Sequence, residues 1–266
     1  MNRERRVEMR YKICFWISLI ILLILVLAKT AGGDEVSEIR GKFRQIIGDK
    51  TEIDSTIDQD YRNHLFQDAI QRFKEAEAIE DQYFVYVDRN PQKQLIFVCF
   101  FDSKNQKVIE IGKDRTSTGK PDKGKDYFLT PIGIFKNSID NFGYRALGTK
   151  NDKGWRGLGK KGSRVWDFGW QKTEKIISGK KQEFLIRLLM HATDPGFGEP
   201  RLGNVDSKGC IRTSGKLNEF LDLFGILDKD YEENNHKTSV QWLLRKDRQS
   251  AEHRGQYLVV GDSSQW

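Results

Sequence analysis

The sequence predicts a mainly β domain with some α-helix, preceded by a membrane anchor and a helical segment. A single long apolar run lies near the N-terminus, and a stretch without Gly or Pro covers residues 60–82. Short apolar runs separated by turn residues begin at Tyr83. All five Pro and 17 of the 24 Gly lie between residues 91 and 215, which is typical of a loop-rich domain of sandwich or barrel type.

Composition excludes several classes of protein. Charged residues make up 31% of the 266-residue chain, which has only one long apolar run, so it does not have several membrane spans. Aromatic residues, at 11%, are too frequent for a disordered chain. Three Cys are too few for a disulfide framework. The formal net charge is +7, but no dense Lys/Arg stripe with interleaved aromatics indicates nucleic-acid binding.

The apolar run from Ile13 to Ala28 contains one polar side chain, Ser18, and follows a basic flank at 1–12. This pattern predicts an uncleaved signal anchor over residues 13–29. The basic flank is expected to stay in the cytoplasm, so that the rest of the chain is periplasmic and held at the inner membrane by a single span. A cleavable signal, cut after Ala28, is the alternative.

Residues 30–82 are predicted to form a linker and a helical stalk, or an element that packs on the main domain. Residues 30–34 are the linker, and a first helix ends near Gly48. A second helix over 60–82 would be capped by Asp60. The apolar residues with helical spacing are Val36, Ile39, Phe43, Ile46 and Ile47 in the first helix, and Tyr61, Leu65, Phe66, Ala69, Ile70, Phe73 and Ile79 in the second.

The main domain is assigned to residues 83–262. Three β-type runs, 83–87, 95–101 and 108–111, alternate with turn sequences and predict a meander. Later strands are expected at 133–136, 164–170, 184–191 and 256–260, with a helix at 215–224. Trp155, Trp166, Phe168 and Trp170 are interpreted as core residues in preference to groove residues, and residues 154–162 as a loop flanking the active site.

Cys210 is the candidate nucleophile. Cys14 lies in the apolar run, and Cys99 is interpreted as a buried strand residue. Gly209 permits an unusual backbone conformation beside Cys210, and Lys208 and Arg212 are expected to favour its thiolate.

A nucleophilic thiol needs a base. His191 ends an apolar strand before a Gly/Pro-rich loop, whereas His64, His236 and His253 are interpreted as solvated or capping residues. The spacing of Cys210 and His191 along the sequence does not by itself favour a catalytic pair over unrelated structural roles for the two residues.

Three segments resemble the L,D-transpeptidase (YkuD) catalytic domain. They are Ser117-Thr-Gly119 with Thr130-Pro-Ile-Gly-Ile-Phe135, then His191, and then Ser207-Lys-Gly-Cys-Ile-Arg212. Their order and spacing are similar to those of the family over about 83–260. The resemblance implies that Cys210 attacks a peptide carbonyl to form a thioester and that His191 is the general base.

The resemblance also implies supporting roles. The carbonyl of Ala192 would orient the His191 ring, and the N–H groups of Gly209 and Cys210 would form an oxyanion hole. Ser207 would shape the loop. Arg212 would shape it as well and pair with a substrate carboxylate.

Two residues depart from the family pattern: Ala192 replaces a usual Gly, and Lys208 replaces a usual His. A charged Lys has hydrogen-bond donors but no acceptor, although it can attract a carboxylate. Lys208 occurs together with the segment His191-Ala-Thr-Asp194, and the two are interpreted as marks of a subgroup of the family that has SKGC in place of SHGC. The substitution leaves open which acceptor resolves the thioester and how fast the reaction is.

The expected function is cysteine-dependent L,D-transpeptidation of peptidoglycan stem peptides, for cell-wall cross-linking or attachment, with no metal and no cofactor. Two alternatives stay open. One is an L,D-carboxypeptidase that uses water as acceptor, and the other is a wall-binding module without catalysis. The sequence does not decide the third stem residue or the oligomeric state.

Overall fold

The computed structural model describes residues 35–177 and 180–266. The predicted flank, anchor and linker at 1–34 lie outside the described residues. The chain divides into two compact units, 1–41 and 42–266, and residues 35–41 of the first are helical. Within the described ranges, no helix has both the length and the apolar character that crossing a bilayer requires.

The second unit begins with helical residues 42–46, followed by α1 at Thr51–Asp54 and α2 at Gln59–Glu75. The cap of α2 is Asp58 and not the predicted Asp60, since the Asp58 carboxylate accepts the Tyr61 N–H at 2.7 Å. The helix also ends before the predicted residue 82. Glu77 has a left-handed φ of 52°, which turns the chain out of the helix toward the first strand.

The strands of the described chain form two sheets. They are β1 (Gln82–Asp88), β2 (Leu95–Asp102), β3 (Lys107–Arg115), β4 (Gly133–Lys136), β5 (Tyr144–Arg145), β6 (Arg164–Ile177), β7 (Lys180–Ala192), β8 (Ile211–Thr213) and β9 (Tyr257–Gly261). One sheet has the order β3-β2-β1-β9-β4 and the other β5-β6-β7-β8. The predicted meander is confirmed, because β1–β2 and β2–β3 pair antiparallel. Strands β5 and β8 are not among the predicted strands.

Helices cover the sheets. The apolar face of α2 packs on the first sheet in one buried cluster with Phe84, Phe97 and Phe101, which supports the packing-element alternative over a free stalk for this helix. The remaining helices are α3 (Gly215–Leu223), α4 (Lys229–Glu233) and α5 (Thr238–Leu243). Helix α3 agrees with the predicted 215–224 and packs on β6 and β7. The architecture is mixed α/β with the sheets dominating.

The core contains most of the predicted apolar residues. Trp166 and Phe168 are buried as expected, but Trp170 is 63% exposed, and Ile79, expected on the apolar face of α2, is 80% exposed. Trp170 follows an irregularity in the β6–β7 register between Asp167 and Trp170. Such an irregularity changes which side chains face the core.

Candidate active site

Strand pairing in the second sheet brings Cys210 and His191 to the same place. Strands β7 and β8 are parallel, with His191 paired to Arg212. Extending this register by two residues places Cys210 beside Leu189. Side chains two residues apart along a strand share a face, so the thiol and the imidazole occupy the same face of the sheet.

Both side chains line one cleft with a volume of about 740 Å³. Its charge is strongly unbalanced, with five basic side chains and one carboxylate. The other lining residues are Lys123, Lys153, Arg201, Lys208, Arg212, Asp206, Tyr127, Asn151, Trp155, Gly157, Leu158 and Ser207. The predicted site residues Cys210, His191, Ser207, Lys208 and Arg212 are therefore all brought together.

The imidazole of His191 is oriented by a backbone carbonyl. Its Nδ1 lies 2.7 Å from the carbonyl oxygen of Ala192, the contact that the resemblance implied. Because a carbonyl only accepts hydrogen bonds, Nδ1 carries the proton and Nε2 has the free lone pair. Burial lowers the pKa of His191 to about 4, and the Arg212 charge adds to this effect although the Ala192 bond opposes it. The ring is therefore a neutral base at neutral pH.

The expected thiolate at Cys210 is not what the structure favours. Burial raises the pKa of the thiol, although the N–H of Leu189 and the charge of Arg212 lower it. Lys208 is exposed, with Nζ 5.6 Å from the centre of the Tyr127 ring. Desolvation outweighs the positive charge nearby, so at neutral pH the Cys210 thiol and the His191 imidazole, which line the same cleft, are both neutral.

The loop that carries Cys210 is clamped by the Ser117–Gly119 segment. The carbonyl of Thr118 accepts the N–H groups of Asp206 and Ser207 at 3.1 and 2.9 Å. Ser117 and Arg212 exchange two backbone hydrogen bonds, at 3.2 and 2.9 Å. Two segments far apart in sequence are thus joined by their backbones, which fixes the path of the chain on both sides of Cys210.

Thr130 completes this clamp with its side chain. The hydroxyl is fully buried, accepts the Gly119 N–H at 3.0 Å and donates to the Gly209 carbonyl at 2.9 Å. Thr130 belongs to one of the resembling segments, but its sequence position alone gives no sign of this role. Its hydroxyl ties two of the three resembling segments to each other.

Ser207 and Gly209 form the turn before Cys210. The Ser207 hydroxyl accepts the Gly209 N–H at 3.0 Å and donates to the Cys210 carbonyl at 2.6 Å. Gly209 has a φ of 125°, and a Cβ at this position would lie 2.7 Å from Ile186 Cδ1. The Gly209 N–H, one of the two donors of the implied oxyanion hole, donates to the Ser207 hydroxyl in this structure.

Residues 154–162 flank the site, as predicted. Gly157 and Leu158 line the cleft, and Gly159 approaches Ala192 so closely that an added Cβ would lie 2.7 Å from the Ala192 Cβ. Asp194 holds this loop to the loop after β7. Its carboxylate accepts backbone N–H groups within 3.0 Å, from Arg156, Gly196 and Phe197.

Trp155 is a cleft residue, contrary to its interpretation as core. It is half-buried and stacks on Phe197 with ring centres 5.6 Å apart. The Arg201 guanidinium lies over its ring, with Cζ 4.5 Å from the ring centre. Its exposure follows from its position on the flanking loop instead of on a strand.

Several functional candidates had no signal in the sequence. Asp206 pairs with its near neighbours Arg201 and Arg212 and with Lys123, which is 83 residues away in the chain. Tyr144 on β5 pairs with Val165 on β6, and Val165 in turn pairs with His191 on β7. Burial raises the pKa of Tyr144, with smaller effects from Asp167 and Cys210.

Comparison with models of known protein families finds no match for this chain, and comparison with curated proteins finds none either.

Proposed function

We propose that this chain is a cysteine-dependent L,D-transpeptidase of peptidoglycan stem peptides, anchored in the inner membrane with an L,D-transpeptidase-like domain at 83–262. One observation carries the proposal. Cys210 and His191 line the same cleft, and the bond from Nδ1 to the Ala192 carbonyl leaves Nε2 free to accept a proton.

In the first half-reaction, His191 Nε2 takes the proton of the Cys210 thiol as sulfur attacks the carbonyl preceding a terminal D-amino acid. A C–S bond forms, and the carbonyl oxygen becomes an oxyanion. When the C–N bond breaks, the imidazolium returns its proton to the leaving amine. The products are a thioester on Cys210 and a free D-amino acid.

In the second half-reaction, an amine of another stem peptide attacks the thioester. Nε2 takes a proton from the attacking amine, the C–S bond breaks, and the sulfur recovers a proton as the new amide is released. Water in place of the amine would give a free carboxylic acid and make the protein an L,D-carboxypeptidase.

The charge of the cleft supports a substrate with carboxylates. Five basic side chains and one acidic side chain line it, and a site of one charge sign concentrates ligands of the opposite sign. A stem peptide ends in a carboxylate beside the bond to be cleaved, so the attraction acts where the chemistry takes place.

Intact-protein mass spectrometry tests the proposal. The full chain is incubated with a tetrapeptide donor that ends in a D-amino acid, and the expected mass increase is the mass of the donor minus the mass of the released free D-amino acid. Cys210→Ala should abolish it. The matched control is Cys99→Ala, because Cys99 is fully buried and burial raises its thiol pKa. An adduct that survives Cys210→Ala, or no adduct with wild type, would contradict the proposal.

Product analysis with an added amine acceptor then separates the alternatives. Cross-linked dimers are expected. If only shortened free stems form, the carboxypeptidase replaces the transferase. If neither dimers nor shortened stems form, and Cys210→Ala binds the donor as well as the wild type does, the wall-binding alternative replaces both.

A further inference from the structure

One buried glutamine has an uncommon backbone conformation. Gln94 ends the turn between β1 and β2, has a φ of 47° and is fully buried. A positive φ is uncommon for residues other than Gly and Asn. The described chain has three other non-glycine residues with positive φ, and none of them is buried: Lys50, Glu77 and Gln106. A backbone outlier that its surroundings hold in place is a candidate for a functional constraint.

The amide of Gln94 binds Thr118 on both of its sides. Its Oε1 accepts the Thr118 N–H at 2.7 Å, and its Nε2 lies 2.8 Å from the Thr118 hydroxyl. Nε2 also donates to the Arg89 carbonyl at 2.7 Å, which anchors the amide to its own turn. The Gln94 carbonyl accepts the Thr116 N–H at 2.9 Å. Gln94 therefore bonds residues 116–118 through its backbone as well as its side chain.

The peptide group between Ser117 and Thr118 connects Gln94 to the strand after Cys210. The Ser117 carbonyl and the Thr118 N–H belong to one planar trans peptide, so they point in opposite directions. Gln94 accepts from this N–H, and the Ser117 carbonyl accepts the Arg212 N–H at 2.9 Å. The peptide is therefore fixed from both sides, and one of these sides is two residues beyond the thiol.

Thr118 also holds the chain before Cys210. Its carbonyl accepts the Ser207 N–H at 2.9 Å, and the Ser207 hydroxyl donates to the Cys210 carbonyl at 2.6 Å. Hydrogen bonds thus run without a break from Gln94 to both ends of the segment that carries the thiol. Release of Thr118 by Gln94 would loosen both supports of this segment together.

We infer that Gln94 is a positioning residue for the Cys210 thiol, whose amide fixes Thr118 and, through it, the placement of the sulfur beside His191. This inference rests on the proposed function for the role of Cys210 as a nucleophile. The left-handed backbone supports it, because a turn alone would be formed with less strain by Gly or Asn. Asn has the same amide, but its side chain is shorter by one carbon–carbon bond, about 1.5 Å. The conformation of the turn and the reach to Thr118 therefore favour different residues.

Alkylation of the full chain by iodoacetamide, read at Cys210 by peptide mass spectrometry, tests the inference without catalysis. Gln94→Asn suits the left-handed turn but falls short of Thr118. Burial raises the pKa of the Cys210 thiol, and a looser loop admits water to the sulfur. Gln94→Asn should therefore label about tenfold faster at neutral pH, the effect of a thiol pKa lower by about one unit. Gln94→Glu has the length of Gln, and its protonated carboxyl both donates and accepts, so it should label at the wild-type rate.

The matched control is Gln106→Asn. Gln106 also has a left-handed φ, of 50°, but it is exposed and its amide donates to the Ser103 carbonyl in its own turn. This variant should label as the wild type does, and urea unfolding is measured for all three variants. A purely structural role of Gln94 predicts wild-type labelling of folded Gln94→Asn. That result would overturn the inference, as would an equal change in Gln106→Asn, the same change in Gln94→Glu, or an unfolded Gln94→Asn.

Reaction with the donor peptide should change in the opposite direction. A thiol displaced from His191 loses the geometry of attack, and a displacement of about 1 Å can cost up to about 100-fold in rate. Gln94→Asn should therefore form the mass adduct at least about tenfold more slowly than the wild type at saturating donor. An unchanged adduct rate would also overturn the inference, because the thiol would then be placed without help from Gln94.

The outcome is separable from that of the proposed function. Faster labelling of Gln94→Asn together with no mass adduct in the wild type would retain the positioning of the thiol by Gln94 and reject the transpeptidase. Adduct formation in the wild type with unchanged labelling of Gln94→Asn would do the reverse.

Discussion

Protonation of His191 is expected to destabilise the domain in mild acid. Burial lowers the pKa of this imidazole from 6.5 to about 4. Between these pH values the unfolded chain binds a proton that the folded chain does not. The stabilisation is therefore complete above the unfolded pKa and is lost as the pH falls to the folded pKa. At about 1.4 kcal/mol per pKa unit, the loss is about 3 kcal/mol of unfolding free energy.

Urea unfolding of the wild type and of His191→Asn measures this loss, from neutral pH down to the folded pKa of His191. Asn does not titrate, and its amide can still donate to the Ala192 carbonyl. Carboxylates titrate in both proteins, so the difference between the two stability curves isolates the imidazole. The wild type is expected to lose about 3 kcal/mol more than the variant. His64→Asn removes an exposed imidazole and is the control for loss of a histidine as such.

Parallel curves for the wild type and His191→Asn would refute the reasoning. They would mean that the folded and unfolded chains bind a proton at this position equally well. The neutral base at Nε2 would then have no support from burial, and the acid limb of the reaction's pH profile would no longer be expected near the lowered pKa of His191.

Three further predictions concern the loop and the core. Thr130→Val leaves two buried backbone groups without partners and should cost about 2–5 kcal/mol in urea unfolding. Thr56→Val, at an exposed residue whose hydroxyl makes one local bond to the Ile53 carbonyl, should cost under about 1 kcal/mol; equal costs would contradict the buried bridge. Gly209→Ala should slow thiol labelling by meeting Ile186, whereas Gly162→Ala, also at positive φ but in open space, should not; unchanged labelling in both would remove the steric argument. Asp228→Ala strands a buried arginine and should lower the unfolding free energy by about 3–5 kcal/mol, and a loss under about 1 kcal/mol would show that water compensates the charge.

Local sequence patterns predicted β1, β2 and most of β7. The runs 83–87, 95–101 and 184–190 are largely apolar, and such segments form strands largely from their own composition. The start of β7 at 180–183 and the part of β6 after residue 170 were not predicted, because their side chains are mostly polar or charged. The short strands β5 and β8 were missed because two or three residues have no periodicity. They are strands only because β6 and β7 offer edges for them to pair with.

The chemistry-bearing residues were likewise visible in the sequence. Cys210 and His191 could be singled out from cysteine and histidine accounting, and the resemblance of the SKGC segment named their roles. Their charge states could not be obtained in this way. Desolvation depends on how the sheets and loops enclose the two side chains, and it reversed the expected effect of nearby cations on the thiol.

The sequence by itself determined that residues 83–262 are rich in β-strands and that a helical segment precedes them. It also determined the candidate nucleophile and base, Cys210 and His191. Tertiary structure alone decided that Thr130 bridges two distant segments and that Lys123 reaches Asp206 from 83 residues away. The physical reason is distance along the chain. Periodicity and turn chemistry act between near neighbours, whereas burial, electrostatic clusters and backbone clamps arise from residues that meet only after folding.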